Sequence, residues 1–148
     1  MISEEVTVFF YGLFMDESLL ASKGISVSKG AVGYVEGYRL HIGKRATLVR
    51  EPDNRAYGVL MTLQAADVRA LYSDESVADY VSESVSIVLP DGTVEPAVCY
   101  NLPTRNLAGA NPEYANSLLM LAARLGLPDD YLQQIREQAA GAEGAGAE

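Results

Sequence analysis

Val6-Thr7-Val8-Phe9-Phe10-Tyr11-Gly12-Leu13-Phe14-Met15, followed at once by Asp16-Glu17-Ser18-Leu19-Leu20, decides how the chain starts to fold. Val6, Val8 and Phe10 alternate with Thr7 and Phe9 in a run rich in β-branched and aromatic residues, which predicts a strand buried largely on both faces. Gly12 ends it. Asp16 is placed to cap a short helix over Glu17 to Ala21, with Gly24 just past its end. Strand, glycine turn and helix start follow one another directly. Such a turn presents backbone N–H groups to a cavity, and amides without intrahelical partners favour an anion or oxyanion there.

Outward from that stretch the periodicity changes several times. Val27 to Leu40 is strand-like but broken by Gly33 and Gly37, which suggests bulges or strong bending. Ala46 to Val49 and Tyr57 to Leu63 are two further strands, and Pro52-Asp53-Asn54 between them is turn chemistry, so they are expected to pair as a hairpin. Thr62 to Tyr72 has Ala65, Val68, Leu71 and Tyr72 three and four apart, an amphipathic helix. Tyr80 to Leu89 returns to a period of two, turns at Pro90-Asp91-Gly92, and pairs with Val94 to Tyr100. Asn111 and Pro112 then start a helix ending at Gly126, and a last helix runs from Pro128 to Gln138. The fold class expected is α+β: a small, mostly antiparallel β-barrel or strongly curved sheet with packed helices.

At 148 residues the chain reads as one domain over 1–138, with 139–148 a flexible Ala/Gly/Glu tail. Eleven Lys plus Arg against twenty Asp plus Glu give a net charge of −9, which repels nucleic acid and anionic membrane surfaces. No run reaches transmembrane length and no basic secretory leader is evident, so a cytoplasmic protein is expected. One Cys (Cys99) and one His (His41) do not make a disulfide or a metal-ligand spacing. Five basic residues, Arg39, Lys44, Arg45, Arg50 and Arg55, concentrate within 39–55, a solvated strand pair or a greeting for small carboxylates. Ser73-Asp74-Glu75-Ser76 sits at a helix-to-strand corner, where a carboxylate is either a solvated turn residue or a catalytic group.

The order of these pieces resembles the γ-glutamylcyclotransferase family, with its γ-glutamylamine-acting and AIG2-like relatives, from Val6 to about Glu137. Tyr11-Gly12-Leu13-Phe14-Met15 is similar to the family's Tyr-Gly-Ser/Thr-x-Leu/Met turn. Gly33 to Leu40 is similar to the glycine-containing strand after it. Ala56-Tyr57-Gly58-Val59-Leu60 and then Leu71 to Glu75 resemble the strand, helix and corner holding the catalytic glutamate. Asn111 to Tyr114, and Leu125 to Tyr131, resemble the last two helix starts. Three positions depart: Leu13 stands where Ser or Thr is usual, Phe14 where Asn is common, and Ser76 where Gly is common.

The resemblance implies an enzyme that cyclises a γ-glutamyl amide (a γ-glutamyl amino acid, amine or glutathione-like peptide) to 5-oxoproline and releases the amine. It implies Glu75 as general base and acid, and Tyr11, Gly12, Leu13, Phe14 and Tyr114 as substrate-binding residues. No cofactor or metal is implied. The partner expected is a small γ-glutamyl substrate, with no nucleic acid and no membrane, and a homodimer stays open. Leu13 and Phe14 keep an alternative in view: a catalytically silent ligand-binding or interaction module on the same fold.

Overall fold

The computed structural model describes residues 4–27, 29–43, 45–73, 80–102 and 111–147. Among them, five strands close into a barrel: β1 (Glu5–Phe10), β2 (Lys29–Ile42), β3 (Ala46–Gln64), β4 (Val81–Val88) and β5 (Val94–Asn101). The order around the barrel is β1-β3-β2-β4-β5. Every neighbouring pair is antiparallel except β1 with β5, which are parallel and paired at Val8 and Val98. Val8, Phe9 and Phe10 are almost completely buried, as a strand flanked on both sides and packed on both faces requires.

The expected hairpin between Ala46 to Val49 and Tyr57 to Leu63 does not form. Both segments belong to one long strand, β3, and both pair with β2: Tyr57 lies opposite Tyr34, and Val49 opposite Arg39. The residues between Arg50 and Arg55 are extra chain on β3 facing a register shift between Glu36 and Tyr38. Turn chemistry serves here to make a bulge. Pro52 lacks the N–H a ladder needs, Asp53 takes a positive φ of 71°, and on β2 Gly37 takes φ 83°, a left-handed conformation in which a Cβ is strained.

α1 (Glu17–Ser22) starts as its sequence requires, with Asp16 Oδ1 accepting from Ser18 N at 2.9 Å. A single 3-10 turn, Leu13–Met15, separates it from β1. α2 (Ala65–Leu71) begins only after β3 ends at Gln64, so the expected helix start at Thr62 is taken by strand. α3 (Pro112–Arg124) is capped by Asn111, whose Oδ1 accepts from Tyr114 N at 3.0 Å. α4 (Asp129–Ala147) packs on α3 and buries Tyr131 and Ile135; the Tyr131 ring meets Tyr57 of β3 with centroids 5.1 Å apart, and Gln138 bonds the end of β2 through Leu40 O (2.8 Å) and Ile42 N (2.7 Å). The α4 backbone continues past Gln138, where the expected helix stops, since extending a nucleated helix through Ala-rich sequence costs little. Among the described residues no helix is long and apolar enough to cross a membrane.

Candidate functional site

Where β1 ends, the chain must turn out of the barrel wall, and that turn forms one side of a cavity of about 420 Å³. Tyr11 points its ring into the core and its Oη donates to Tyr100 O at 2.5 Å. Burial pushes this phenol well above its ordinary pKa. Gly12 follows, and a Cβ there would lie 2.4 Å from Tyr114 Oη, so a larger residue requires that hydroxyl to move. Leu13 N then donates to that same Oη at 3.3 Å. Asn111, by capping α3, therefore also fixes the tyrosine that holds the turn.

The facing wall is aromatic. Tyr72, just past α2, stacks on Tyr100 of β5 with centroids 4.0 Å apart, and Phe14 meets Tyr72 edge-on at 6.0 Å. Tyr80, just before β4, lies 6.0 Å from Tyr72 and donates its hydroxyl to Ala46 O at 2.5 Å. Burial raises the phenols of Tyr72 and Tyr100, and pushes that of Tyr114 up to about 12 against the pull of the Leu13 N–H. At neutral pH these are rings with neutral hydroxyls, suited to donating hydrogen bonds to a ligand oxygen.

Two cations reach the cavity wall: Lys23, at the C-terminal end of α1, and Arg45, whose guanidinium lies 5.7 Å from the Tyr80 ring centroid. Of the basic concentration over 39–55, Arg45 alone is among the described cavity residues. Arg50 pairs with Glu83 at 3.3 Å, Arg55 lies over Tyr34 at 4.4 Å, and Lys44 is outside the described residues.

Glu83 forms a second polar cluster. Its carboxylate accepts from Tyr38 Oη, Arg50 and Asn101 Nδ2 (3.2 Å), and Asn101 also reaches Cys99 Sγ at 3.4 Å. Burial pushes the Cys99 thiol up to about 12, so it is a small core residue here and not a nucleophile. Among the described residues no group of His, Cys, Asp and Glu is placed to hold a metal ion.

Tyr11, Gly12, Leu13, Phe14 and Tyr114 are thus brought to one cavity. Glu75, with Asp74 and Ser76, lies outside the described residues. Among the described residues on either side of it, Tyr72 and Tyr80 both line the same cavity, while Ser73, the last described residue before it, does not.

The sequence profile of the AIG2-like family matches residues 55–135. The chain belongs to the AIG2-like family. The solved structure of a γ-glutamyl cyclotransferase superposes with a TM-score of 0.76 at 19% identity, over 90% of this chain and 87% of that one. An uncharacterized protein from Homo sapiens gives 0.75 at 20% identity, with the same coverage of 90% and 87%. The γ-glutamyl cyclotransferase specific to glutathione from yeast gives 0.60 at 15% identity, over 93% of this chain and 99% of that one. At such identities the likeness is one of fold. No curated protein matches the chain by sequence.

In this AIG2-like chain, sequence reasoning missed Lys23, Tyr72, Tyr80, Tyr100 and Asn111 as cavity residues. A signal was present for two of them. Tyr72 and Tyr80 are the aromatic residues at the ends of the elements flanking the Asp74-Glu75 corner, the position from which a side chain overlooks a loop.

Proposed function

We propose that the chain is a γ-glutamylcyclotransferase, converting a γ-glutamyl amide to 5-oxoproline and a free amine. The observation that carries the reading is the convergence on one cavity of the Tyr11 to Phe14 turn and of Tyr72 and Tyr80, which lie three residues before and five after Glu75 in the sequence. Membership of the AIG2-like family and the γ-glutamyl cyclotransferase fold support it.

The reaction asks for few groups. The α-amine and the γ-carbonyl belong to one molecule, so the protein selects the folded-back conformer and ring closure is intramolecular. Glu75 takes a proton from the α-ammonium; the amine nitrogen bonds to the γ-carbon; that proton passes from Glu75 to the departing nitrogen as the amide C–N bond breaks; and the ring nitrogen gives up its second proton, which the released amine takes up as an ammonium. The turn and Tyr114 face the developing negative charge. Tyr114 Oη accepts from Leu13 N, which leaves its own proton to donate to the substrate oxygen, and its raised pKa keeps that proton in place.

Incubating the full chain with γ-glutamyl amino acids, γ-glutamylamines and glutathione, and measuring 5-oxoproline, tests the reading. Release from at least one substrate class is expected. No release from any, with binding of a γ-glutamyl ligand retained, would favour the silent module that Leu13 and Phe14 keep in view.

A further inference from the structure

Among the described residues, Thr47 and Asn101 are the polar side chains buried in the core, Thr47 wholly so. A hydroxyl at such a position calls for partners, since an unpaired one is costly there. Both residues sit where the start of β3 meets the end of β5. Thr47 Oγ1 accepts from Leu102 N at 2.8 Å, and Asn101 Oδ1 accepts from Leu48 N at 3.4 Å. Among the described pairings β1 reaches β3 only over Val59 to Gln64, while Ala46, Thr47 and Leu48 pair with β2. Side chains therefore tie this stretch to the rest of the barrel, and Tyr80 Oη on Ala46 O is a third such tie.

The cavity depends on this junction. Tyr100, two residues before Leu102, accepts from Tyr11 Oη through its carbonyl at 2.5 Å and stacks its ring on Tyr72. Burial raises the Tyr11 phenol and a hydrogen bond with the Thr47 side chain opposes that rise, so one hydroxyl serves both the end of β5 and the first residue of the turn. We propose that Thr47 is a positioning residue for the Tyr11 to Phe14 turn: its hydroxyl sets where that turn stands against Tyr114 and the Tyr72–Tyr100 stack. The inference rests on the cyclotransferase reading above. Thr47 is not among the residues lining the cavity, and it acts through Tyr11 and Tyr100.

Thr47→Val keeps the shape and removes the hydroxyl. With a γ-glutamyl amide that the parent chain turns over, and at a temperature where the variant is folded, kcat should fall roughly ten- to a hundredfold, the effect of a small misplacement of a group that meets the transition state. KM should change less, because the turn faces charge that develops only in that state. Thr47→Ser, which restores the hydroxyl, should stay within a few-fold of the parent, and Gln138→Ala, which loses two hydrogen bonds away from the cavity, should keep the parental kcat. In a Tyr11→Phe background Thr47→Val should cost little more, the non-additivity of two residues in one link. If Thr47→Val does not fold, Thr47→Ser and Thr47→Cys carry the same contrast, alike in shape but with a weak acceptor in the second, which should be the slower. Parental kcat in Thr47→Val, or equal kcat in the Ser and Cys variants, overturns the inference and leaves the cyclotransferase reading intact. So does a fall in kcat that Gln138→Ala reproduces at the same loss of melting temperature, since the rate then follows stability alone. Release of 5-oxoproline from no γ-glutamyl amide by the parent chain overturns the reading and the inference together.

Discussion

Tyr38 and Tyr114 both carry phenols pushed up to about 12, in each case chiefly by burial, yet their hydroxyls serve different ends. Tyr38 donates to Glu83, whose carboxylate also takes Arg50 and Asn101, so donors and acceptors of the cluster answer one another. Tyr114 accepts from a backbone N–H and keeps its proton, while around it Tyr11 and Tyr80 give theirs to main-chain carbonyls. The first arrangement holds strands together. The second leaves the Tyr114 proton unspent in a ring-lined space. An acid near a tyrosine therefore marks structure at Glu83, and a tyrosine wall with cations marks a site at the end of β1.

The largest effect that would sharpen this contrast is at Glu75. Glu75→Gln keeps size and most hydrogen bonding but removes the proton carrier, and general acid–base catalysis contributes about 10²–10⁴ in rate, so kcat should fall to the upper part of that range. Asp74→Asn, with the same charge loss, should stay within a few-fold. Steady-state kinetics with 5-oxoproline as the readout decides it. Parental rates in both variants would leave Glu75 a surface residue.

Next comes Gly12→Ala. The added Cβ would fall 2.4 Å from Tyr114 Oη but 3.8 Å from Cζ, so the conflict is with the hydroxyl alone. Overpacking of this kind costs about 1–3 kcal/mol, and the displaced turn should lower kcat/KM by roughly tenfold or more. Gly12→Ala with Tyr114→Phe should recover the melting temperature but not the rate, a non-additivity that a double-mutant cycle measures. Rates recovered along with stability would show that the Tyr114 hydroxyl is a spacer only.

How much of this was legible follows from which interactions are local. The β1 strand, the Asp16 cap on α1 and the Asn111 cap on α3 depend on neighbours in sequence, and the expected elements form there. Barrel closure depends on β1 lying between β3 and β5, pairings that no single segment encodes. The failed hairpin has the same cause: Pro52-Asp53-Asn54 has turn residues, but whether they turn the chain or bulge it is decided by Gly37 on another strand. Glu83 did leave a trace. It falls on the same side of β4 as Val85 and Ile87, and an acid at an inward position of an alternating strand calls for partners. The turn residues were legible as motif. The aromatic wall was not, because Tyr72, Tyr80 and Tyr100 converge from three separate elements.

The structural half of the comparison is tested at Glu83. Glu83→Ala leaves Tyr38 Oη and the Asn101 amide short of an acceptor, at a cost of about 1–3 kcal/mol, with kcat changed no more than a few-fold. Alkali should strain both regions. The folded-state pKa values of Tyr38 and Tyr114 are raised from 10.0 to about 12, so the neutral phenols favour the folded protein: their contribution is whole below pH 10 and is lost as pH rises through about 12. The melting temperature should fall across that window, less steeply in Tyr38→Phe and Tyr114→Phe. A slope unchanged in both variants would place the alkaline loss elsewhere.

The smallest effect should come from a segment that belongs to neither region. The buried anchors of α4 are Tyr131 and Ile135, and its last described side-chain contact with the barrel is Gln138, which donates to Leu40 O and accepts from Ile42 N. Beyond it, residues 139–148 hold no large apolar group to bury. Ending the chain after Gln138 should therefore change stability by less than about 0.5 kcal/mol and leave 5-oxoproline release at the parental rate. Gln138→Ala in the full chain is the contrasting case, since it removes two hydrogen bonds to the end of β2 and should cost about 1–2 kcal/mol. If the truncation lowers the melting temperature as much as Gln138→Ala does, the segment docks on the domain, and α4 is anchored beyond Gln138.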